Sequence, residues 1–231
     1  MRDIKKHKRI NDIFLGPLER PALRWLAAHM PGWVTPDICT MIGVLGAVII
    51  MLSYLLTPIN KNYLWFASLG FIINWFGDSL DGTLARYRHI ERPNFGFFLD
   101  HIVDAINEVL IFIGLGLTPF INFNIACLTL IAYLLLSILI YVTTCVTGEF
   151  KISYGKLGPT EVRVLAILLN IWMYFGAERT FVMSAGIFGD ITASPYDLFV
   201  GFIGLLLLFF FLDTARKESI KLAKSDAHPG S

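Results

Sequence analysis

The sequence predicts an all-α, polytopic membrane protein with six transmembrane helices and an amphipathic juxtamembrane helix ahead of the first. Three observations predict it. Hydrophobic residues make up 55% of the 231 residues, and mean hydropathy is +0.64. Charged residues are only 16%, where a soluble domain carries about a quarter. The apolar residues also fall in long runs, each near the roughly 20 residues that cross a hydrocarbon core.

Taken in order, residues 1–34 read as a cytoplasmic N-terminal segment. It opens MRDIKKHKRINDIF, which is basic but leads into no apolar signal core, so no cleavable signal peptide is expected. Within it, GPLERPALRWLAAHM (16–30) is amphipathic. Leu18, Leu23, Trp25 and Leu26 would lie in the membrane interface, with Arg20 and Arg24 towards water; an ordinary surface helix is the alternative. Spans are expected at 35–57, 63–87, 95–117, 121–147, 160–177 and 194–215. They form one membrane domain, 35–215, followed by a cytoplasmic tail, 216–231. Cys39, Cys127 and Cys145 sit in apolar stretches without metal or redox spacing and read as buried structural thiols.

Charge orients the bundle. Seventeen of the nineteen Lys and Arg residues fall in the N-terminal segment, the second-to-third and fourth-to-fifth connections, and the C-terminal tail. Lys61 and Arg179 alone fall on the opposite side. Lys/Arg excess marks cytoplasmic loops, so both termini should be cytoplasmic. Net charge is +1, which implies no nucleic-acid partner. The basic face suits membrane lipid and phosphate groups.

Four acids interrupt this apolar pattern. The second span ends GDSLDGTLARYR and the third begins FGFFLDHIVDAINE. Asp78 and Asp81 stand at i, i+3, and Asp100 and Asp104 at i, i+4, so each pair shares a helix face. A short connection makes the two faces neighbours at the cytoplasmic mouth of the bundle. Four carboxylates near lipid repel one another and need neutralising, by protons or by divalent cations. Carboxylate oxygens are hard ligands suited to Mg²⁺ or Mn²⁺, and two such ions can clamp both oxygens of a phosphoryl transfer. Gly82 and Gly96 allow close approach, Ala85 keeps its turn slim, and Arg86 is a natural phosphate fork. The competing reading is a polar helix pair, with or without proton-relay duty.

Asp78-x-x-Asp81-Gly82-x-x-Ala85-Arg86 followed by Gly96-x-x-x-Asp100-x-x-x-Asp104 resembles the signature of the CDP-alcohol phosphotransferase family. One departure stands out: nine residues, Tyr87 to Phe95, separate Arg86 from Gly96, where the family usually has eight. Upstream, Thr35-Pro36-Asp37-Ile38-Cys39-Thr40 resembles the family's Thr-Pro-Asn/Asp segment at the first span. That resemblance implies nucleotide contacts, while Thr35 or Asp37 could equally be a helix N-cap with Pro36 in the first turn.

The family resemblance implies a reaction. A CDP-linked donor binds on two metal ions, Mg²⁺ or Mn²⁺, and an alcohol hydroxyl attacks the phosphorus distal to cytidine, releasing CMP. Asp78, Asp81 and Asp100 would be the main ligands. Asp104 would be the general base, shared with one metal, and Gly82 and Arg86 would hold the donor. His101, directly after Asp100, matches an Asp-His pair of the choline/ethanolamine phosphotransferase branch and could assist proton removal; an interfacial histidine is the alternative. Thr160-Glu161-Val162 is similar to a segment of that branch. Glu161 could orient the acceptor or serve the helix dipole in the first turn. Lys151, Lys156 and Arg163 could bind a phosphorylated acceptor or lipid headgroups, or be solvated positive-inside charges. Asn74, Asn107 and Asn170 read as interhelical hydrogen-bonding amides, and Glu108 as support for Asp104. The resemblance also admits a homodimer. The rival functions are a transporter using the acids as a cation path and a metal-dependent phosphohydrolase.

Overall fold

In the computed structural model, residues 8–10, 14–147, 149–151, 158–177, 180–184 and 190–227 are described. The order is β1 (Lys8–Ile10), α1 (Gly16–His29), α2 (Pro36–Leu56), α3 (Tyr63–Tyr87), α4 (Pro93–Gly116), α5 (Phe123–Thr147) and β2 (Glu149–Lys151). Then come α6 (Pro159–Phe175), β3 (Phe181–Ser184), β4 (Asp190–Ala193) and α7 (Pro195–Ala227). The architecture is all-α. β1 pairs in parallel with β2, and β3 pairs antiparallel with β4. The sequence had announced none of these short strands.

Local chemistry sets the helix starts. Pro occupies the first turn of α1, α2, α4 and α6, where its missing N–H costs nothing. The Thr35 hydroxyl accepts the Ile38 amide at 3.3 Å and caps α2. Ser194 and Asp197 cap α7 reciprocally: the Ser194 amide donates to Asp197 and the Asp197 amide to the Ser194 hydroxyl. α3 ends at Arg88, and His89 adopts φ 57°, the left-handed conformation that turns the chain towards α4.

Packing is closest between α2 and α3. A Cβ on Gly77 would collide with the backbone of Gly43 and Cys39. Small residues at such contacts let membrane helices touch backbone to backbone. The contact lies one residue before Asp78, so it presses the acidic turn of α3 against the start of α2. Polar ties reinforce the bundle. Asn74 donates to the Gly43 carbonyl at 2.9 Å, and Asn170 bridges Tyr54 and Ser68. These two amides take the expected interhelical role, whereas the buried Asn107 Oδ1 has no hydrogen-bond partner among the described residues.

The apolar core has two parts. One joins Leu23 and Ala27 of α1 to Leu80 and Leu84 of α3, beside the acidic turn. The other, around Tyr54, Phe71, Met173 and Tyr196, fills the far end of the bundle. α1 therefore turns Leu23 and Ala27 inward while Leu18 and Trp25 remain exposed.

Three helices, α2, α5 and α7, are long and apolar enough to cross a membrane. On α7, Leu198, Phe202, Leu205, Phe209 and Leu212 are all exposed. A surface this apolar fits an integral membrane protein. At the other three expected spans the chain forms the helices α3, α4 and α6, which carry the site's charges.

Candidate active site

A cleft of about 890 Å³ opens between α1, α2, α3, α4, α5 and α6. Asp78 and Asp81 enter it from α3, and Asp100 and Asp104 from α4. Asp78, Asp100 and Asp104 each bring a carboxylate oxygen within 4.8 Å of the other two. Three hard oxygens that close form a donor set suited to a divalent cation. Asp81 lines the same cleft but stands outside this group. One of its oxygens accepts the Thr40 hydroxyl at 2.8 Å, and the other accepts the Gly82 amide. α2 thus holds Asp81 through Thr40, one turn after Pro36.

Arg163 balances part of this negative charge. Its Nη2 donates to Asp78 at 2.6 Å and its Nε to Asn74 at 2.8 Å. The pair is largely buried, with side-chain exposures of 14% and 19%. Arg163, expected as an acceptor residue, is therefore tied to a carboxylate of the acidic cluster. On the cleft wall, the Arg86 guanidinium lies beside Gly82, where a Cβ would sit 3.2 Å from Nη1. Arg86 also donates to the Thr83 hydroxyl at 3.2 Å. Gly82 leaves room for that guanidinium. Ala85 and Gly96 line the cleft as well.

His101 also reaches the cleft. Its Nδ1 lies 2.6 Å from the Phe97 carbonyl. A carbonyl only accepts, so Nδ1 carries a proton and donates. The ring packs edge-on against Tyr141 at 4.6 Å between centroids.

The Thr35–Ile38 segment divides. Pro36 and Asp37 line the cleft, Thr35 caps α2, and Ile38 packs into the core beneath α1. Asp37 pairs with Arg92 from the α3–α4 loop, and Arg92 stacks on Phe95. That loop lies within the 87–95 stretch between Arg86 and Gly96. Arg88 fastens it further, donating to the Met30, Pro31, Gly32 and Val34 carbonyls between α1 and α2.

Glu161 takes the helix-start role of its two alternatives. Its carboxylate accepts the Gly158 amide at 2.9 Å and the Leu15 amide at 2.8 Å, joining the starts of α6 and α1. The Lys151 side chain and Lys156 lie outside the described residues.

Five residues contribute beyond those the sequence singles out. Thr40 stands one turn from Pro36 on the same face of α2, where its hydroxyl reaches Asp81. Tyr133, Ser137 and Tyr141 line the cleft at i, i+4, i+8, a hydroxyl stripe that was legible on otherwise apolar α5. Glu19 left no signal. Its Oε1 accepts from Trp75, Ser79 and Thr160, pinning α1 to α3 and α6 across the cleft. Arg20 and Arg24 consequently border the cleft.

Comparison with known proteins agrees with this site. The family model described as CDP-alcohol phosphatidyltransferase matches residues 33–213. The phosphatidylinositol phosphate synthase of Cutibacterium acnes is 38% identical over 94 residues, covering 40% of each chain. Cholinephosphotransferase 1 of Gallus gallus is 25% identical over 210 residues, covering 80% of this chain and 61% of its own length. That of Danio rerio is 26% identical over 175 residues, 71% of this chain and 44% of its own. The chain therefore spans between 40% and 61% of the length of these curated relatives. A crystal structure of Mycobacterium tuberculosis phosphatidylinositol phosphate synthase with CDP-DAG bound aligns with a TM-score of 0.57 at 18% identity. It covers 84% of this chain and 89% of that one, a likeness of fold. With the family model spanning both the Asp78–Asp104 signature and the helices that assemble it, the chain belongs to the CDP-alcohol phosphatidyltransferase family.

Proposed function

We propose that this chain makes phospholipid by moving a substituted phosphate from a CDP-linked donor to an alcohol hydroxyl, with release of CMP. The observation that carries the reading is the meeting of Asp78, Asp100 and Asp104 at one point of a cleft bordered by arginines. In this account Asp78, Asp81, Asp100 and Asp104 hold two divalent ions, Mg²⁺ or Mn²⁺. When bound, the ions would neutralise the pyrophosphate and the charge developing on the leaving phosphate.

The chain's own groups do the rest. Gly82 leaves the wall open for a phosphate, and Arg86 supplies a planar fork to it. Pro36, Asp37 and Thr35 at the head of α2, with Ile38 behind them, shape the nucleotide end. The acceptor oxygen bonds to the phosphorus distal to cytidine, the bond from that phosphorus to the bridging oxygen breaks, and CMP departs. The hydroxyl proton passes to an Asp104 carboxylate oxygen as general base. His101, its Nδ1 turned to the Phe97 carbonyl, assists proton removal. Arg163 keeps Asp78 aimed through their 2.6 Å contact. Glu161 belongs to the frame of the site.

The same proposal takes α2 to α7 as six spans of a membrane domain over 35–215, with 1–34 and 216–231 on the cytoplasmic side. α1 lies at the interface, and two copies of the chain form a homodimer. A transporter is the rival. It is disfavoured because Arg163 and Arg86 place fixed positive charge in the cleft, which a cation path has no use for.

The test is CMP release by the purified full-length chain in mixed micelles with Mg²⁺ or Mn²⁺. CDP-diacylglycerol, CDP-choline and CDP-ethanolamine are each offered with and without alcohol acceptors. Acceptor-dependent CMP formation with at least one donor is expected. Release without any acceptor would assign a phosphohydrolase, and no release from any donor would favour transport.

A further inference from the structure

One feature of the cleft has no task in moving phosphorus. Along α4, Gly96, Asp100, Asp104 and Glu108 follow one another at i+4 and all line the cleft. Glu108 stands one turn beyond Asp104. Opposite it, α5 descends through Tyr141 and Ser137 to Tyr133, which lies against Glu108. Glu108 Oε2 is buried and accepts no hydrogen bond among the described residues. Arg163 Nη1 is buried and donates none. The Nε and Nη2 of the same guanidinium are both occupied.

Leaving such groups unmatched is costly, more so when they are charged. A carboxylate oxygen asks for a donor and a guanidinium nitrogen asks for an acceptor. A hydroxyl is both. An ammonium can only donate, and an ester carbonyl, the neighbour of the free hydroxyl in a diacylglycerol, can only accept. Residues at i, i+4 stand about 6 Å apart on a helix face, within reach of two hydroxyls of one small molecule.

Resting on the transferase reading above, we propose that Glu108, Tyr133 and Arg163 form the inner half of the acceptor site. They bind a second hydroxyl of a polyol whose first hydroxyl faces Asp104. The acceptor is then a small polyol or its phosphate, and the donor carries the lipid.

The test uses the full-length chain in mixed micelles with Mg²⁺. CDP-diacylglycerol is offered with glycerol, myo-inositol, their monophosphates, or 1-propanol, and CDP-choline with dioleoylglycerol. The readout is the ratio of kcat/KM for the best polyol to that for 1-propanol, taken within each protein so that loss of folded enzyme cancels. The wild type should favour a polyol, and Glu108→Gln should lower the ratio about tenfold, the weight of a charge-assisted hydrogen bond. Tyr133→Phe should lower it in the same direction. An unchanged ratio in Glu108→Gln, or a wild type that prefers dioleoylglycerol, overturns the polyol subsite and leaves the transferase standing. Absence of turnover with every donor removes the transferase reading, and binding then decides the subsite. A polyol from the panel should raise the unfolding temperature of the wild type and not that of Glu108→Gln. Equal shifts, or none in either protein, overturn it.

Discussion

At the scale of single residues, the site depends on side chains that hold other side chains. Thr40 fixes one oxygen of Asp81 and the Gly82 amide fixes the other. Removing a partner that orients a ligating carboxylate commonly costs 10–100-fold in metal affinity. Thr40→Val should therefore raise the Mg²⁺ concentration for half-maximal CMP release about tenfold, read from a metal titration at saturating donor. Arg163 is a stronger case because its ion pair with Asp78 is mostly enclosed. Truncation leaves a carboxylate unpaired beside Asp100 and Asp104, and breaking such a pair costs about 3 kcal/mol. Arg163→Ala should lower the thermal unfolding midpoint in detergent and abolish CMP release, while Arg163→Lys recovers folding better than activity. The motif aspartates were legible because the signature names them. Thr40 and Glu19 were not, since their value lies in contacts with elements far along the chain.

At the scale of elements, hydropathy located the helices because apolar runs and span lengths coincide. Expected spans at 35–57 and 63–87 became Pro36–Leu56 and Tyr63–Tyr87. The last helix overran its expected end at 215 and continues to Ala227. Hydropathy registers only the apolar stretch, whereas the helix persists through a charged one supported by the Asp213–Lys217 pair at i, i+4. The backbone contact of α2 with α3 was invisible for a different reason. A glycine in an apolar run carries no sign of which helix it will touch. Gly77→Leu would force the two backbones apart at the residue preceding Asp78. We expect a loss of about 1–3 kcal/mol, the usual scale of overpacking, together with loss of CMP release. Thermal unfolding of the variant beside the wild type checks it.

At the scale of the whole molecule, the cleft sits where the charged connections gather. Arg88, Arg92 and the start of α6 join α1 and α2 around it. The Lys/Arg asymmetry predicts that this face is cytoplasmic. Single cysteines introduced at Ser225 and Asn60, in a background lacking Cys39, Cys127 and Cys145, give the check. An impermeant thiol reagent added outside intact cells should label the second and not the first; the reverse pattern would invert the topology. The sequence alone made the acidic motif legible, because it is written in a local pattern. The depth of the cleft and the clamp by Glu19 depend on helices meeting in space.

The most direct measurement of the central claim is the rate of CMP release from CDP-diacylglycerol or CDP-choline by the wild type and by Asp104→Asn. Mg²⁺ and acceptor are held saturating, and matched folding is verified by unfolding temperature. Removal of a general base costs about 10²–10⁴-fold, so the variant should fall by at least about a hundredfold. Equal rates in the two folded proteins would contradict the role of Asp104 and, with it, the account of this cleft as a phosphotransfer site.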